Sequence, residues 1–170
     1  MEFLIFSDSH GRYGAMRAAY QKQVRHPDGV MFLGDGLRDL EASDFPASTL
    51  YAVQGNCDWT PRMTDGAEVT DELILSFEGH RLLLAHGHRY HVKSGYGGIL
   101  AYAARMDVDV VLFGHTHTPT LEIIPSGSEI GGVELSRPIY LFNPGSIGQS
   151  GSFGTLSVRG ENVLLSHGRV

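Results

Sequence analysis

Phe3-Leu4-Ile5-Phe6-Ser7-Asp8-Ser9-His10-Gly11 is the stretch whose reading decides the fold. A short apolar run rich in Phe and Ile predicts a buried strand. It runs straight into an acid, a small residue, an imidazole and a glycine. On extended backbone the side chains at i and i+2 share a side, so Asp8 and His10 are expected to converge on one point.

The same phrase recurs down the chain. Val30-Met31-Phe32-Leu33 delivers Gly34-Asp35-Gly36, and Leu50-Tyr51-Ala52-Val53 delivers Gly55-Asn56-Cys57-Asp58. Leu73–Phe77 and Arg81–Ala85 flank Glu78-Gly79-His80, a hairpin signal, and the second arm delivers His86-Gly87-His88. Val108–Phe113 delivers Gly114-His115-Thr116-His117. Between the strands, Tyr13, Met16, Tyr20 and Val24 recur with helical spacing until His26-Pro27-Asp28-Gly29 supplies turn chemistry. A short helix is expected to turn Leu37 and Leu40 inward, and Ile99, Tyr102, Ala103 and Met106 mark another. From Thr118 onward helical periodicity disappears. Leu121–Ile124, Gly132–Leu135, Ile139–Phe142, Thr155–Val158 and Asn162–Leu165 read as a meander of short strands. Residues 1–170 read as one domain, an α/β sandwich of two stacked sheets with helices outside. Ligands bind beyond the carboxyl ends of strands in such folds, where every polar loop here stands.

Composition narrows the function classes. Hydrophobic residues are 42%, enough for a sizeable core, and the formal net charge of −6 disfavours a nucleic-acid-coating protein. The single cysteine, Cys57, excludes an intramolecular disulfide and fits a reducing compartment. No leader pattern and no apolar run of about 20 residues is present, so a soluble, cytoplasmic protein is expected. Exposed sheet edges would allow a homodimer or higher homo-oligomer.

Asp8, His10, Asp35, Asn56, His86, His115 and His117 are all oxygen or nitrogen donors. Mixed imidazole and carboxylate sets suit Mn, Fe, Zn or Ni. Seven donors exceed what one tetrahedral ion needs, but with one shared carboxylate they fill two shells. Asp35 is the candidate for sharing, because a carboxylate has two oxygens and an imidazole one free lone pair. Two ions roughly 3.5–4 Å apart are a recurring device for phosphate-ester hydrolysis: a water between them becomes hydroxide near neutral pH and attacks phosphorus in line with the leaving oxygen.

Asp8-Ser9-His10, Gly34-Asp35, Gly55-Asn56-Cys57-Asp58, His86-Gly87-His88 and Gly114-His115-Thr116-His117, in this order, resemble the calcineurin-like metallophosphoesterase superfamily, and within it the small bacterial and archaeal phosphodiesterases. Asn143-Pro144-Gly145-Ser146 resembles a loop that those small members share. The resemblance implies a four-layer αββα sandwich of two mixed sheets flanked by helices. It implies two divalent ions, Mn first, with Ni, Fe or Zn as alternatives. Asp8, His10, Asp35 and His117 would hold one ion; Asp35, Asn56, His86 and His115 would hold the other. The implied substrate is a small phosphodiester. Many members of the wider superfamily carry, after the motif Asn, a His that protonates the leaving group and is paired with the next Asp. Here Cys57 and Asp58 stand in those places. A thiol donates weakly, so aryl esters should react well and alkyl esters slowly unless His88 helps.

His88 and His91 lie outside the matched ligand set; His88 could orient phosphate. Arg12, Arg38, Arg62 and Arg89 follow ligand loops and could clamp a phosphate oxygen, or be solvated surface residues. The alternative from another class is a protein-interaction scaffold like retromer's metallophosphoesterase-like subunit. Its metal site is incomplete, whereas all seven positions here carry competent ligands. A metallo-β-lactamase-like hydrolase needs a His-x-His-x-Asp-His run, which the chain lacks.

Overall fold

The computed structural model describes residues 1–45, 48–60, 62 and 67–170, with only the backbone of residues 41 and 42. The opening run forms β1 (Glu2–Phe6), whose side chains alternate between two environments. Phe3 and Ile5 enter one buried cluster, Leu4 and Phe6 another. That is the period-2 geometry of a strand buried on both faces.

Three strands run parallel along one side of the first sheet, with β3 at its edge: β1, β2 (Gly29–Phe32) and β3 (Thr49–Ala52). The connections are α1 (Tyr13–Gln21) and α2 (Leu37–Ser43). The second sheet begins with β4 (Glu72–Phe77) and β5 (His80–Ala85), joined by the two-residue turn Glu78-Gly79. Both turn residues have positive φ (50° and 86°), which matches the twist of a tight hairpin. His80 is therefore the first residue of β5, not part of the turn. A 3-10 turn (His88–Tyr90) and α3 (Gly97–Arg105) lead to β6 (Val110–Phe113).

The C-terminal strands are not one meander. β7 (Thr120–Ile124) and β10 (Ile139–Asn143) complete the second sheet, in the order β4-β5-β6-β10-β7. A separate small hairpin, β8 (Glu129–Ile130) and β9 (Val133–Glu134), packs near α3. After a one-turn helix, α4 (Ile147–Ser150), the chain crosses to the first sheet. There β11 (Ser152–Arg159) and β12 (Asn162–Arg169) complete the order β12-β11-β1-β2-β3. Alternation in the sequence marks a strand but does not say which sheet it joins.

The core has three parts. One cluster fills the space between the sheets, with Phe3, Ile5, Met31, Leu84 and Phe142. A second lies beneath α1 and α2, with Met16, Tyr20, Leu37 and Leu40. A third lies beneath α3, with Ile99, Ala103 and Phe113. This is the four-layer αββα sandwich of two mixed sheets. Leu37 and Leu40 face inward as expected. Val24 does not: α1 ends at Gln21, and Val24 is fully exposed beyond it. Among the described residues no helix is long and apolar enough to cross a membrane.

The parallel strands β1, β2, β3, β5 and β6 all point their carboxyl ends the same way. Their following loops carry Asp8 and His10, Asp35, Asn56, His86, and His115 and His117.

Candidate metal centre

The ligand loops do not continue the strands. Asp8 (φ 56°), His10 (45°), Asp35 (62°), His115 (66°) and His117 (61°) all adopt positive φ. The expectation that Asp8 and His10 meet because extended residues at i and i+2 share a side is corrected here: each is turned inward by a left-handed kink. Such backbone is uncommon outside glycine and costs on the order of 1–3 kcal/mol per residue. The surroundings hold it in place. Asp8 and Ser9 donate their N–H groups to Gly34 O (3.0 Å) and Asp35 O (3.1 Å). Gly55 has no room for a side chain, since a Cβ there would lie 2.1 Å from Asp35 Oδ1.

The side chains meet in two groups, Asp8–His10–His117 and Asp35–His86–His115, each with donor atoms within 4.8 Å of one another. In the first, His117 Nε2 lies 3.1 Å and His10 Nε2 3.8 Å from Asp8 Oδ1, and the two imidazole nitrogens are 3.4 Å apart. In the second, His86 Nε2 lies 3.3 Å from Asp35 Oδ2, 3.2 Å from His115 Nδ1 and 3.2 Å from Asn56 Oδ1. Asp35 Oδ2 also faces His10 Nε2 at 3.9 Å. One oxygen of Asp35 therefore stands between the groups. The other, Oδ1, accepts the Cys57 N–H at 2.7 Å.

The protonation pattern points the lone pairs inward. His86 Nδ1 is 2.7 Å from the Leu33 carbonyl, which can only accept, so Nδ1 carries the proton and Nε2 is left free. His117 Nδ1 meets the side-chain oxygen of Gln149 at 2.9 Å with the same consequence. Asp8 Oδ2 accepts from Ser7 Oγ (2.5 Å) and the His115 N–H (3.1 Å), whereas its Oδ1 is buried without a hydrogen-bond partner. Asp8 Oδ1, Asp35 Oδ2 and the free Nε2 atoms of His86 and His117 converge as acceptors, and such a set needs a cation or protons between its members. The residues present fit a metal.

The titration shifts follow from this crowding. Burial alone would raise the Asp35 carboxyl, but the hydrogen bond and charge of His86 and the Cys57 N–H hold it well below the usual carboxylate range. Burial alone would lower His86; Asp35 and Asp8 outweigh it and raise the imidazole. Burial, with His86 beside it, lowers His115 to about 4. Burial, with Asp35 next to it, pushes the Cys57 thiol up to about 11.

Asp58 is placed otherwise than as a partner of the Cys57 thiol. Its carboxylate accepts four backbone N–H groups, from Asp35 (2.8 Å), Gly36 (2.8 Å), Leu37 (3.0 Å) and Gly55 (2.9 Å). It ties the β2 and β3 loops together and so positions Asp35 and Asn56. Cys57 is exposed; its sulfur accepts from Asn56 Nδ2 at 3.3 Å and lies within reach of His10 and Asp35. His88 packs against the ligand rings, with centroids 5.5 Å from His86 and 6.1 Å from His115, but is in neither donor group. Its Nδ1 is buried without a partner, and burial, then His86, lowers its pKa.

The Asn143-Pro144-Gly145-Ser146 loop supports the ligand loops. Asn143 Nδ2 donates to Gly114 O (2.8 Å) and Thr116 Oγ1 (3.0 Å), and Ser146 Oγ donates to Asp8 O (2.8 Å) while capping α4. Sequence reading missed Gln149, whose contact with His117 depends on that one-turn helix. Of the four arginines, Arg12 binds Gly148 O (3.2 Å), Arg62 pairs with Glu68 (3.0 Å) and Arg89 with Asp71 (2.8 Å). Arg38 faces the cavity beside the centre.

Known proteins share this sequence pattern and fold. The chain is 32% identical over 148 residues to the probable metallophosphoesterase YsnB of Bacillus subtilis, covering 86% of this chain and 75% of that one. It is 26% identical to the phosphodiesterase YfcE of Escherichia coli, over 98% of this chain and 90% of that one. The fold also superposes on Zn2+-bound Vps29 of Entamoeba histolytica with TM-score 0.71, at 19% identity, over 100% and 98% of the two chains. Residues 1–161 match the calcineurin-like phosphoesterase superfamily domain. The chain belongs to the calcineurin-like phosphoesterase superfamily.

Proposed function

We propose that the protein is a binuclear metal-dependent phosphodiesterase. The observation that carries this reading is the convergence of a buried, unpartnered Asp8 Oδ1, the free Nε2 atoms of His86 and His117, and imidazole nitrogens on both sides of Asp35 Oδ2. Asp8, His10, Asp35 and His117 would hold one divalent ion, and Asp35, Asn56, His86 and His115 the other, with Mn first and Ni, Fe or Zn as alternatives. A bound pair would supply charge neutralisation at the phosphoryl group and acidify water to a nucleophile near neutral pH.

The chain's own residues aim and hold. The Leu33 carbonyl and Gln149 fix the tautomers of His86 and His117, so that each presents its free nitrogen. Asp58 clamps the loops that carry Asp35 and Asn56. Cys57 sits at the mouth with its proton held, a weak donor toward a departing oxygen, which suits activated aryl esters. His88 packs against His86 and His115 and lines a separate cavity with Asp71, Glu72 and Tyr90. The likeness to YfcE, a phosphodiesterase by name, supports a diester over a monoester. The likeness to Vps29 supports the fold alone, and the scaffold alternative gains nothing from a ligand set complete at all seven positions. The lone cysteine supports a cytoplasmic setting.

The test is a panel of bis(p-nitrophenyl) phosphate, p-nitrophenyl phosphate and cyclic nucleotides, each with Mn2+, Ni2+, Mg2+ and Zn2+. The diester should be turned over best, and only with transition metals. Preference for the monoester would reject the phosphodiesterase assignment, and silence with every metal would reject the enzyme.

A further inference from the structure

Trp59 is the chain's single tryptophan, and it is 96% exposed. Indole rings usually hide most of their surface. This one lines a cavity of about 790 Å3 together with His10, Asp35 and Cys57. That volume falls within the rough 300–1,000 Å3 range of small-molecule sites. The aromatic face thus shares its space with donors from both sides of the metal centre.

The polar groups of the cavity wall are largely occupied. Asp39 accepts from Ser9 Oγ (2.6 Å) and the Gly11 N–H (2.7 Å). Asp58 is held by its four N–H groups, and Arg62 is paired with Glu68. Arg38 is different: among the described residues it has no hydrogen bond or ion pair. What the wall offers a ligand is a flat π surface and one unpaired guanidinium, beside a phosphoryl-binding centre. Base–aromatic stacking tolerates every base, and a guanidinium pairs with phosphate oxygens.

We propose that Trp59 is a stacking platform for a nucleobase, so that the substrate is a nucleotide diester. The base rests on the indole, phosphorus lies at the Asp35 side of the cavity, and Arg38 pairs with a phosphate oxygen. The net charge of −6 points to a short nucleotide, because a polymer calls for a basic track. This inference rests on the phosphodiesterase reading and adds the class of substrate.

Two measurements test it. The first compares kcat/KM for thymidine 5′-(p-nitrophenyl phosphate) and methyl p-nitrophenyl phosphate, which share a leaving group, with Mn2+. The ratio of the two should favour the nucleotide, fall about tenfold in Trp59→Ala, the order of one base stack, and largely recover in Trp59→Phe. The second uses Trp59 as its own reporter, since no other tryptophan contributes emission. 5′-AMP should quench it in the Zn2+-loaded protein, while ribose 5-phosphate should not. A ratio unchanged in Trp59→Ala, or emission indifferent to 5′-AMP, would overturn the platform. Should the wild type turn over neither ester, the phosphodiesterase reading falls, and the emission titration still decides whether a base stacks.

Discussion

The two ends of the sandwich each bury an aspartate against histidine, and they treat it oppositely. At the end remote from the strand carboxyl termini, Asp109 is 1% exposed and both its oxygens are used. Oδ1 accepts the Arg81 N–H (2.7 Å), and Oδ2 meets His80 Nδ1 (2.5 Å) and Arg137 (3.5 Å). His80 reaches across to Gly160 O (3.0 Å), joining β5 to the β11–β12 turn on the opposite sheet. At the carboxyl end, Asp8 is just as buried, but one oxygen has no hydrogen-bond partner, and imidazole nitrogens face each other at 3.4 Å (His10–His117) and 3.2 Å (His86–His115). A buried polar group without a partner costs free energy. The satisfied pole is a fastening, and the other pole gathers the donors that fit a metal.

Mutations should separate the poles. Asp35→Ala removes the oxygen that stands between the two donor groups. Diester turnover is expected to fall by more than about a hundredfold, the upper end of losses from disturbing ligand geometry; near-wild-type turnover would remove its shared role. Asp109→Ala should do the reverse. Breaking a buried pair from one side costs about 3 kcal/mol, which urea unfolding of the metal-free protein would read, with kcat within about twofold of wild type. A stable Asp109→Ala protein would show that the far pole fastens nothing.

Proton competition is the next largest effect. A metal ligand must be deprotonated. His86 is raised above the ordinary imidazole value, so protons compete there as pH falls; His115, lowered to about 4, and Asp35, held low, stay free. The Kd for Zn2+ should therefore weaken by about tenfold per pH unit below the His86 pKa, one proton per step. A flat profile from pH 8 to pH 6 would contradict His86 as a metal ligand. Asp58→Asn, which disturbs the four N–H contacts, should weaken metal by roughly tenfold with little change in that slope. The smallest effect concerns Cys57. Although exposed, its thiol is pushed up to about 11. Iodoacetamide at pH 7.5 should modify it at least about tenfold more slowly than free cysteine, because the thiolate is the nucleophile.

Much of the carboxyl-end site could be read from the sequence because each ligand follows an apolar run. A buried strand must end at the sheet margin, and parallel strands share a margin. Asp8, His10, Asp35, Asn56, His86, His115 and His117 were legible on that ground. How they are aimed was not: the extended geometry expected of Asp8 and His10 gives way to positive φ, which tertiary hydrogen bonds impose. The role of Asp58 was hidden for a related reason, since its four partners include three residues of a different loop. The far pole left no signal at all. His80 and Asp109 look like an ordinary turn residue and an ordinary strand-leading acid until the sheets stack. Val24 matched the helical period by coincidence, because period alone does not mark where a helix stops.

The central claim is that one carboxylate oxygen, Asp35 Oδ2, joins two metal positions. Protein stripped with chelator, reloaded with Mn2+ and desalted should carry two ions per chain by elemental analysis. Asp35→Ala should carry fewer than one, because neither position keeps its full set. A wild type that saturates at one ion, or an Asp35→Ala variant that still holds two, would contradict the account.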